Sequence, residues 1–260
     1  PFRAVHISDN HLTYADETDD PRKRELARER IKGFPKNSEI LAEELEYAKR
    51  NGLTVLHTGD MIDFVSNANI AAAKQISAQN DLFFAAGNHE FSLYVGEAFE
   101  DEAYRNQSLD KIQALFGNNI RFAVRKMGGI NFVAIDNSYY RYEEWQYEAF
   151  KEVLKQDMPI VILQHNPLYE ENLYNIAIGK ASSAYLVSVP EKLMQGYPED
   201  RYIQQKADDI TIKMTELIKS SDAVKAVICG HLHYDYEGFL TDRLKQYVSG
   251  LGTLRDISFI

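Results

Sequence analysis

The sequence predicts an α/β fold in which strands and helices alternate. Three observations predict it. Short apolar runs recur, and each delivers a small polar cluster: FRAVHIS before Asp9, LTVLHT before Gly59, DLFFAA before Gly87, IVIL before Gln164 and VKAVIC before Gly230. Stretches with helix caps and helical periodicity separate the first three runs, a spacing that argues for right-handed parallel connections in one sheet. The clusters fall where strands would end, and ligands of open α/β sheets bind outside the carboxyl ends of strands.

The elements follow in order. The strand Phe2–Ser8 delivers Asp9-Asn10-His11; residues two apart on extended chain share a side, so Asp9 and His11 can reach one ion. A doubly charged insertion, Thr13–Asn37, comes next. Asp20 and Pro21 form a cap and first turn for a helix to about Lys32. Its Arg22, Lys23 and Arg24 are either a solvated face or a lid that meets phosphate near Asp9. A helix over Glu39–Arg50, with Ser38 as cap, ends at Asn51-Gly52. The strand Leu53–Thr58 delivers Gly59-Asp60-Met61-Ile62-Asp63; His57, inside the run, is read as a hydrogen-bonded core histidine. A helix over Ala68–Ala78 precedes the run that ends in Gly87-Asn88-His89-Glu90.

The signal then weakens. A helix over Ser108–Phe116 and a hairpin of Arg121–Lys126 with Ile130–Asp136 are expected, followed by a helix over Glu143–Lys155. The strand Ile160–Leu163 delivers Gln164-His165-Asn166. A long insertion, Leu168 to about Tyr202, contains Tyr169, Tyr174 and Tyr185, which either line a cleft beside His165 or simply pack. A helix over Gln204–Lys219 leads to Val224–Cys229 and then Gly230-His231-Leu232-His233, with further strands in the tail.

The 260 residues show no internal repeat, low-complexity stretch or Pro/Gly-rich linker, so residues 1–260 are read as a single domain. A net charge of -10 argues against a general nucleic-acid binder, although bound cations would still allow a phosphate substrate. Cys229 is the one cysteine, which rules out an intramolecular disulfide. No apolar segment approaches the length of a membrane helix. A cytoplasmic location is the expectation. The chain opens at Pro1, and a removed tag, initiator Met or signal peptide would each account for that.

Asp9, His11, Asp60, Asn88, His165, His231 and His233 all follow predicted strands. Two carboxylates, one amide and four imidazoles exceed the needs of one tetrahedral ion and suffice for two ions sharing a bridge. The mixed N/O set suits Mn, Fe or Zn better than Ca or Mg.

In this order, D-x-H, G-D-x-x-D, G-N-H-E, a lone His after a strand and G-H-x-H resemble the calcineurin-like metallophosphoesterases, from Asp9 to His233. The resemblance implies a four-layer α/β sandwich with two packed mixed β-sheets flanked by helices. It implies that Asp9, His11 and His233 hold one ion, that Asn88, His165 and His231 hold the other, and that Asp60 bridges them. His89 would be the catalytic acid and Asp63 would orient it. Purple acid phosphatases carry a tyrosine where this chain has Asp63, so no iron–tyrosine chromophore is expected. The implied chemistry is hydrolysis of a phosphate ester: two ions about 3.5–4 Å apart lower the pKa of a bridging water, and the resulting hydroxide attacks phosphorus.

The expected substrate is a small phosphomonoester or phosphodiester. The low isoelectric point and the absence of a basic stripe make a nucleic acid an unlikely partner. Asn10 and Asn166 either touch that substrate or serve loop hydrogen bonds. A protein phosphatase, a nuclease and a catalytically silent scaffold of the same fold remain the alternatives.

Overall fold

The computed structural model describes residues 2–259. Its elements are β1 (Phe2–Ile7), α1 (Pro21–Arg30), α2 (Asn37–Arg50), β2 (Thr54–His57), α3 (Asn67–Gln79), β3 (Leu82–Phe84), α4 (Glu102–Asn106), α5 (Leu109–Gln113), β4 (Phe122–Met127), β5 (Ile130–Ile135), α6 (Glu144–Leu154), β6 (Ile160–Leu163), α7 (Glu171–Ile178), α8 (Glu199–Gln205), α9 (Asp209–Ser220), β7 (Val224–Cys229), β8 (Tyr236–Phe239), β9 (Lys245–Val248) and β10 (Arg255–Phe259).

The strands form two mixed sheets. One has the order β10-β1-β2-β3, the other β4-β5-β6-β7-β9-β8. β1, β2 and β3 pair in parallel, as the strand–helix alternation predicts, and β10 closes their edge antiparallel to β1. β5, β6, β7 and β9 are also parallel, while β4 and β8 run antiparallel on the two edges.

Side chains alternate along a strand, so each sheet has two faces to cover. The inner faces meet through Ala4, Leu56 and Phe83 from the first sheet and Phe132, Val161 and Ile228 from the second. The outer face of the first sheet, with Val5, Val55 and Phe84, lies against Leu41, Leu45 and Ala48 of α2 and Ala73 of α3. The outer face of the second, with Val133, Ile162 and Val227, lies against Phe150 of α6 and Met214 and Ile218 of α9. The layers are therefore helix, sheet, sheet, helix, as the resemblance implied. No helix among the described residues is long and apolar enough to cross a membrane.

Local chemistry sets most boundaries. The Asp20 side chain accepts from Lys23 N at the start of α1, and the Ser66 side chain accepts from Asn69 N at the start of α3. The hairpin turn at Gly128 and Gly129 has φ of 56° and 81°, a pair of left-handed residues that joins β4 to β5 in two residues. Two expectations need correction. α2 starts at Asn37, before the expected Ser38 cap; Lys36 caps it through its backbone, with Ile40 N donating to Lys36 O. The expected helix over Gln204–Lys219 is two helices, because the Asp208 side chain accepts from Thr211 N and starts α9 afresh. The second insertion, legible only as a loop, contains α7 and most of α8, and the buried Leu173 and Ala177 seat α7 on the second sheet's core.

Candidate active site

All nine sequence-predicted site residues follow the carboxyl ends of β1, β2, β3, β6 and β7, eight on loops and His89 at the start of a single 3-10 turn, His89–Phe91. Loops from the two sheets meet here through hydrogen bonds. His231 N donates to both oxygens of Asp9, at 3.0 and 2.9 Å, and His165 Nδ1 donates to the Thr58 carbonyl at 2.7 Å. Within the first sheet, Asp9 N donates to Gly59 O and His11 N to Asp60 O. The loops pack so closely that a Cβ at Gly87 would collide with the Asp60 carboxylate, and one at Gly230 with Asp9 and Ser8. Asp9, His11, Asp60, His231 and His233 all have φ between 44° and 74°. A non-glycine residue in that region costs on the order of 1 kcal/mol or more, and such strain clusters at functional sites.

Three groups of candidate ligand atoms result among the described residues, one of them His11, Asp63 and His89; the other two are made of ligands the sequence predicts. Asp9, His11 and His233 form one: His11 Nε2 is 3.0 Å from His233 Nε2 and 3.8 Å from Asp9 Oδ1. Asp60, His165 and His231 form the other: His165 Nε2 is 3.1 Å from His231 Nδ1 and 3.0 Å from Asp60 Oδ2. Two imidazole nitrogens bound to one ion at about 2.0–2.1 Å would stand roughly 3.0–3.4 Å apart, so both pairs have the spacing of shared ligation. Asp60 Oδ2 also lies 3.7 Å from His11 Nε2, between the two groups. Asn88 contributes a further fit: its Nδ2 donates to Glu100 at 3.4 Å, while its buried Oδ1 has no hydrogen-bond partner. A buried carbonyl oxygen without a donor suits a cation.

A surrounding layer orients these side chains. His11 Nδ1 donates to Asp63 at 2.9 Å, which leaves Nε2 its lone pair in the neutral ring. His165 Nδ1, bonded to a carbonyl that can only accept, is fixed in the same way. Tyr140 OH lies 2.8 Å from His231 Nε2, so His231 turns Nδ1 inward. Arg30, at the end of α1, grips the Asp63 carboxylate with two bonds of 2.6 and 2.8 Å, and the Phe34 ring stacks on His11 with centroids 4.4 Å apart. Glu90 accepts backbone N–H groups from Asp60, Met61, Ile62 and Gly87, tying the second and third motif loops together.

Sequence reasoning missed Arg30, Phe34 and Tyr140 altogether, and it quoted Glu90 without giving it a task.

His89 stands beside the two groups of predicted ligands. Its Nδ1 donates to the Asp63 carbonyl at 2.7 Å and lies 3.3 Å from the Asp63 carboxylate. Its backbone N donates to Asp60 Oδ1 at 2.9 Å. Asp63 therefore reaches His89 mainly through its backbone, while its carboxylate serves His11 and Arg30. Burial opposes a charge on His89, but the Asp60 and Asp63 carboxylates outweigh it and push the imidazole up to about 10. Burial likewise opposes charge on His165, and Asp60 outweighs it, up to about 9. The buried carboxylates thus attract positive charge, and cations among them would compete with these protons.

A cleft of about 660 Å³ opens over Asp60, Asn88, His89, His231 and His233. Tyr185 lines it, as one reading of the second insertion had it. Tyr169 and Tyr174 do not; they pack on each other, centroids 5.9 Å apart, and on the second sheet's outer core. Asn10 is buried and spends its amide on Glu44 and His57, which is the loop-bonding reading; Asn166 is buried too and donates Nδ2 to the Asn137 and Ser138 carbonyls, while its Oδ1 has no hydrogen-bond partner. His57 is a buried core histidine bonded to Asn10 and to Gly59 N. None of Arg22, Lys23 and Arg24 lines the cleft: Arg22 pairs with Glu97, and both Arg22 and Lys23 lie over Tyr94. The same helix reaches the site from its other end, through Arg30.

The family model for calcineurin-like phosphoesterases matches residues 2–235. No curated protein sequence matches the chain. Among solved structures, a dimetal phosphatase from Danio rerio is similar with a TM-score of 0.53 and 13% identity, over 96% of this chain and 88% of that one. A phosphopantetheinyl hydrolase from Mycobacterium tuberculosis is similar with a TM-score of 0.50 and 13% identity, over 98% of this chain and 95% of that one. Likeness at such low identity is likeness of fold.

Proposed function

The chain belongs to the calcineurin-like phosphoesterases, metal-dependent hydrolases of phosphoric esters, and from that premise we propose that it cleaves a small phosphomonoester or phosphodiester at a two-ion centre, with His89 as general acid. The observation that carries the reading is Asp60 Oδ2, set between one imidazole pair of His11 and His233 and another of His165 and His231.

Asp9, His11 and His233 would hold one ion, Asn88, His165 and His231 the other, and Asp60 both. The donors suit Mn, Fe or Zn. Such ions supply neutralisation of the ester's charge and activation of the attacking water. The chain's own residues do the rest. His89 has Nδ1 committed to Asp63, so its Nε2 is the nitrogen free to give a proton to the leaving oxygen. Asp63, which lies outside the proposed ligand set, favours the imidazolium through its carbonyl and its carboxylate. Asp63 and Arg30 hold His11 in the orientation that aims Nε2 inward. Both sheets supply ligands, so the whole chain acts as one catalytic domain.

The test is hydrolysis of p-nitrophenyl phosphate beside bis-p-nitrophenyl phosphate by Mn-loaded protein, with Asp60→Asn as control. Turnover that disappears in the control supports the proposal, and the preferred ester tells monoesterase from diesterase. Two bound ions without turnover of either ester would overturn it in favour of a silent scaffold.

A further inference from the structure

The cleft has a second end that ion binding leaves unused. It is built by the insertion after β6. Arg201, on α8, places its guanidinium 5.5 Å over the Tyr185 ring, and Tyr185 meets His231 edge-on with centroids 5.9 Å apart. Lys180, just after α7, places its ammonium 4.8 Å over the Tyr234 ring, and Tyr234 follows His233 in the chain. Both cations line the cleft, and Arg201 stands one aromatic ring away from the candidate ligand His231.

Neither cation is well neutralised. Lys180 pairs with no carboxylate among the described residues. Arg201 has Asp200 at 3.5 Å and gives one bond, of 2.9 Å, to Gln204. The other carboxylates of the cleft wall are engaged elsewhere. Glu97 is taken by Arg22. Glu100 accepts from Asn88 and Gln204, and burial pushes it up toward its neutral form. In a chain of net charge -10, two cations lining one cleft, Lys180 without a carboxylate partner among the described residues and Arg201 with only the loose pair to Asp200, mark a place for an anion.

We infer that Lys180 and Arg201 form a subsite for a second anionic group, a phosphate or a carboxylate, carried by the leaving group of the ester. Tyr185 and Tyr234 set its distance from the scissile phosphate. The substrate class is then a bisphosphate or a phosphorylated carboxylic acid. This inference rests on the phosphoesterase reading above.

Two matched pairs test it: adenosine 5′-monophosphate against adenosine 3′,5′-bisphosphate, and phenyl phosphate against 4-carboxyphenyl phosphate. Each is assayed as kcat/KM with wild type, R201M, K180M and R201K, with p-nitrophenyl phosphate as reference. Wild type is expected to prefer the two-anion member of at least one pair by roughly 10–100-fold, the scale of charge-assisted hydrogen bonds. The preferred pair tells phosphate from carboxylate. The ratio should fall toward one in R201M and K180M and recover in part in R201K, which keeps the charge and controls for a folding defect. A wild-type ratio near one in both pairs, or a ratio unmoved by R201M and K180M, sinks the subsite while hydrolysis of the reference leaves the phosphoesterase reading standing. Failure on every ester, the reference included, overturns both. Faster turnover of phosphocholine than of either two-anion ester would also overturn the subsite, since it would mean a cation binds there.

Discussion

The two insertions are made of different materials. The first carries α1, which has no buried residue; it is held by an ion pair from Arg22, by the grip of Arg30 on Asp63 and by Phe34 stacked on His11. The second is rooted in the core through Leu173, Ala177, Ala184, Leu186 and Val187, and it offers Lys180, Tyr185 and Arg201 to the cleft. A polar arm gripped at the site can act on ligand geometry while adding little to global stability. A segment that shares the core is part of the fold, and its rigid backing lets exposed side chains serve recognition. The comparison separates a region that acts on chemistry from one that acts on stability and selectivity.

A change in neither insertion sets the scale. H89A should lower kcat by about 10²–10⁴-fold with ion content unchanged, measured by metal analysis beside turnover. Loss of both ions in H89A would make His89 a ligand instead of an acid.

For the second insertion, L173A removes a fully buried side chain and should cost about 2–5 kcal/mol in a urea melt. In the first, R24A should stay within about 0.5 kcal/mol, as a surface change on a helix that buries nothing. Equal costs would erase the distinction between core-rooted and polar insertions.

R30M should weaken ion binding by up to about 10-fold in equilibrium dialysis, less than loss of a ligand's direct partner, because Arg30 acts on His11 through Asp63. Its melt should move less than that of L173A. An unchanged ion affinity would mean that the Arg30 grip on Asp63 is only structural.

The smallest effect concerns α2, which follows the first insertion. Burial pushes Glu44 up to about 7, against the pull of its hydrogen bond from Asn10. An unfolded glutamate titrates near 4.3. The folded state therefore holds the proton longer, and the stability linked to it is complete below the unfolded value and lost as pH rises through about 7. E44Q keeps an uncharged side chain, so its urea midpoint should fall less than that of wild type between pH 5 and pH 8. Parallel curves would show that Glu44 does not titrate in that window.

Much of the centre could be read in the chain. Asp9, His11, Asp60, His165, His231 and His233 each end an apolar run, and a strand buried on both faces must release its polar residues at its ends. The helices that share the core were legible for the same reason, since Phe150 and Val153 repeat at helical spacing. Arg30, Phe34 and Tyr140 were not, because nothing local sets them apart from residues on a solvated helix or loop. Asn10, next to two candidate ligands, was open to either a substrate or a loop role, and its amide goes to Glu44 and His57 because neighbours on a strongly turned loop point in different directions.

By itself, the sequence determined where the strands run, which loops carry the candidate ligands and which chemistry those residue types suit. These depend on burial periodicity and on residue type, both of which are local. Only the tertiary structure decided that Asp9 would clasp His231 across the sheets, that Arg30 would settle on Asp63 and that Lys180 and Arg201 would line one cleft. Such contacts join residues far apart in the chain, as with Asp9 and His231, and they form only once two sheets have packed and chosen which loops meet.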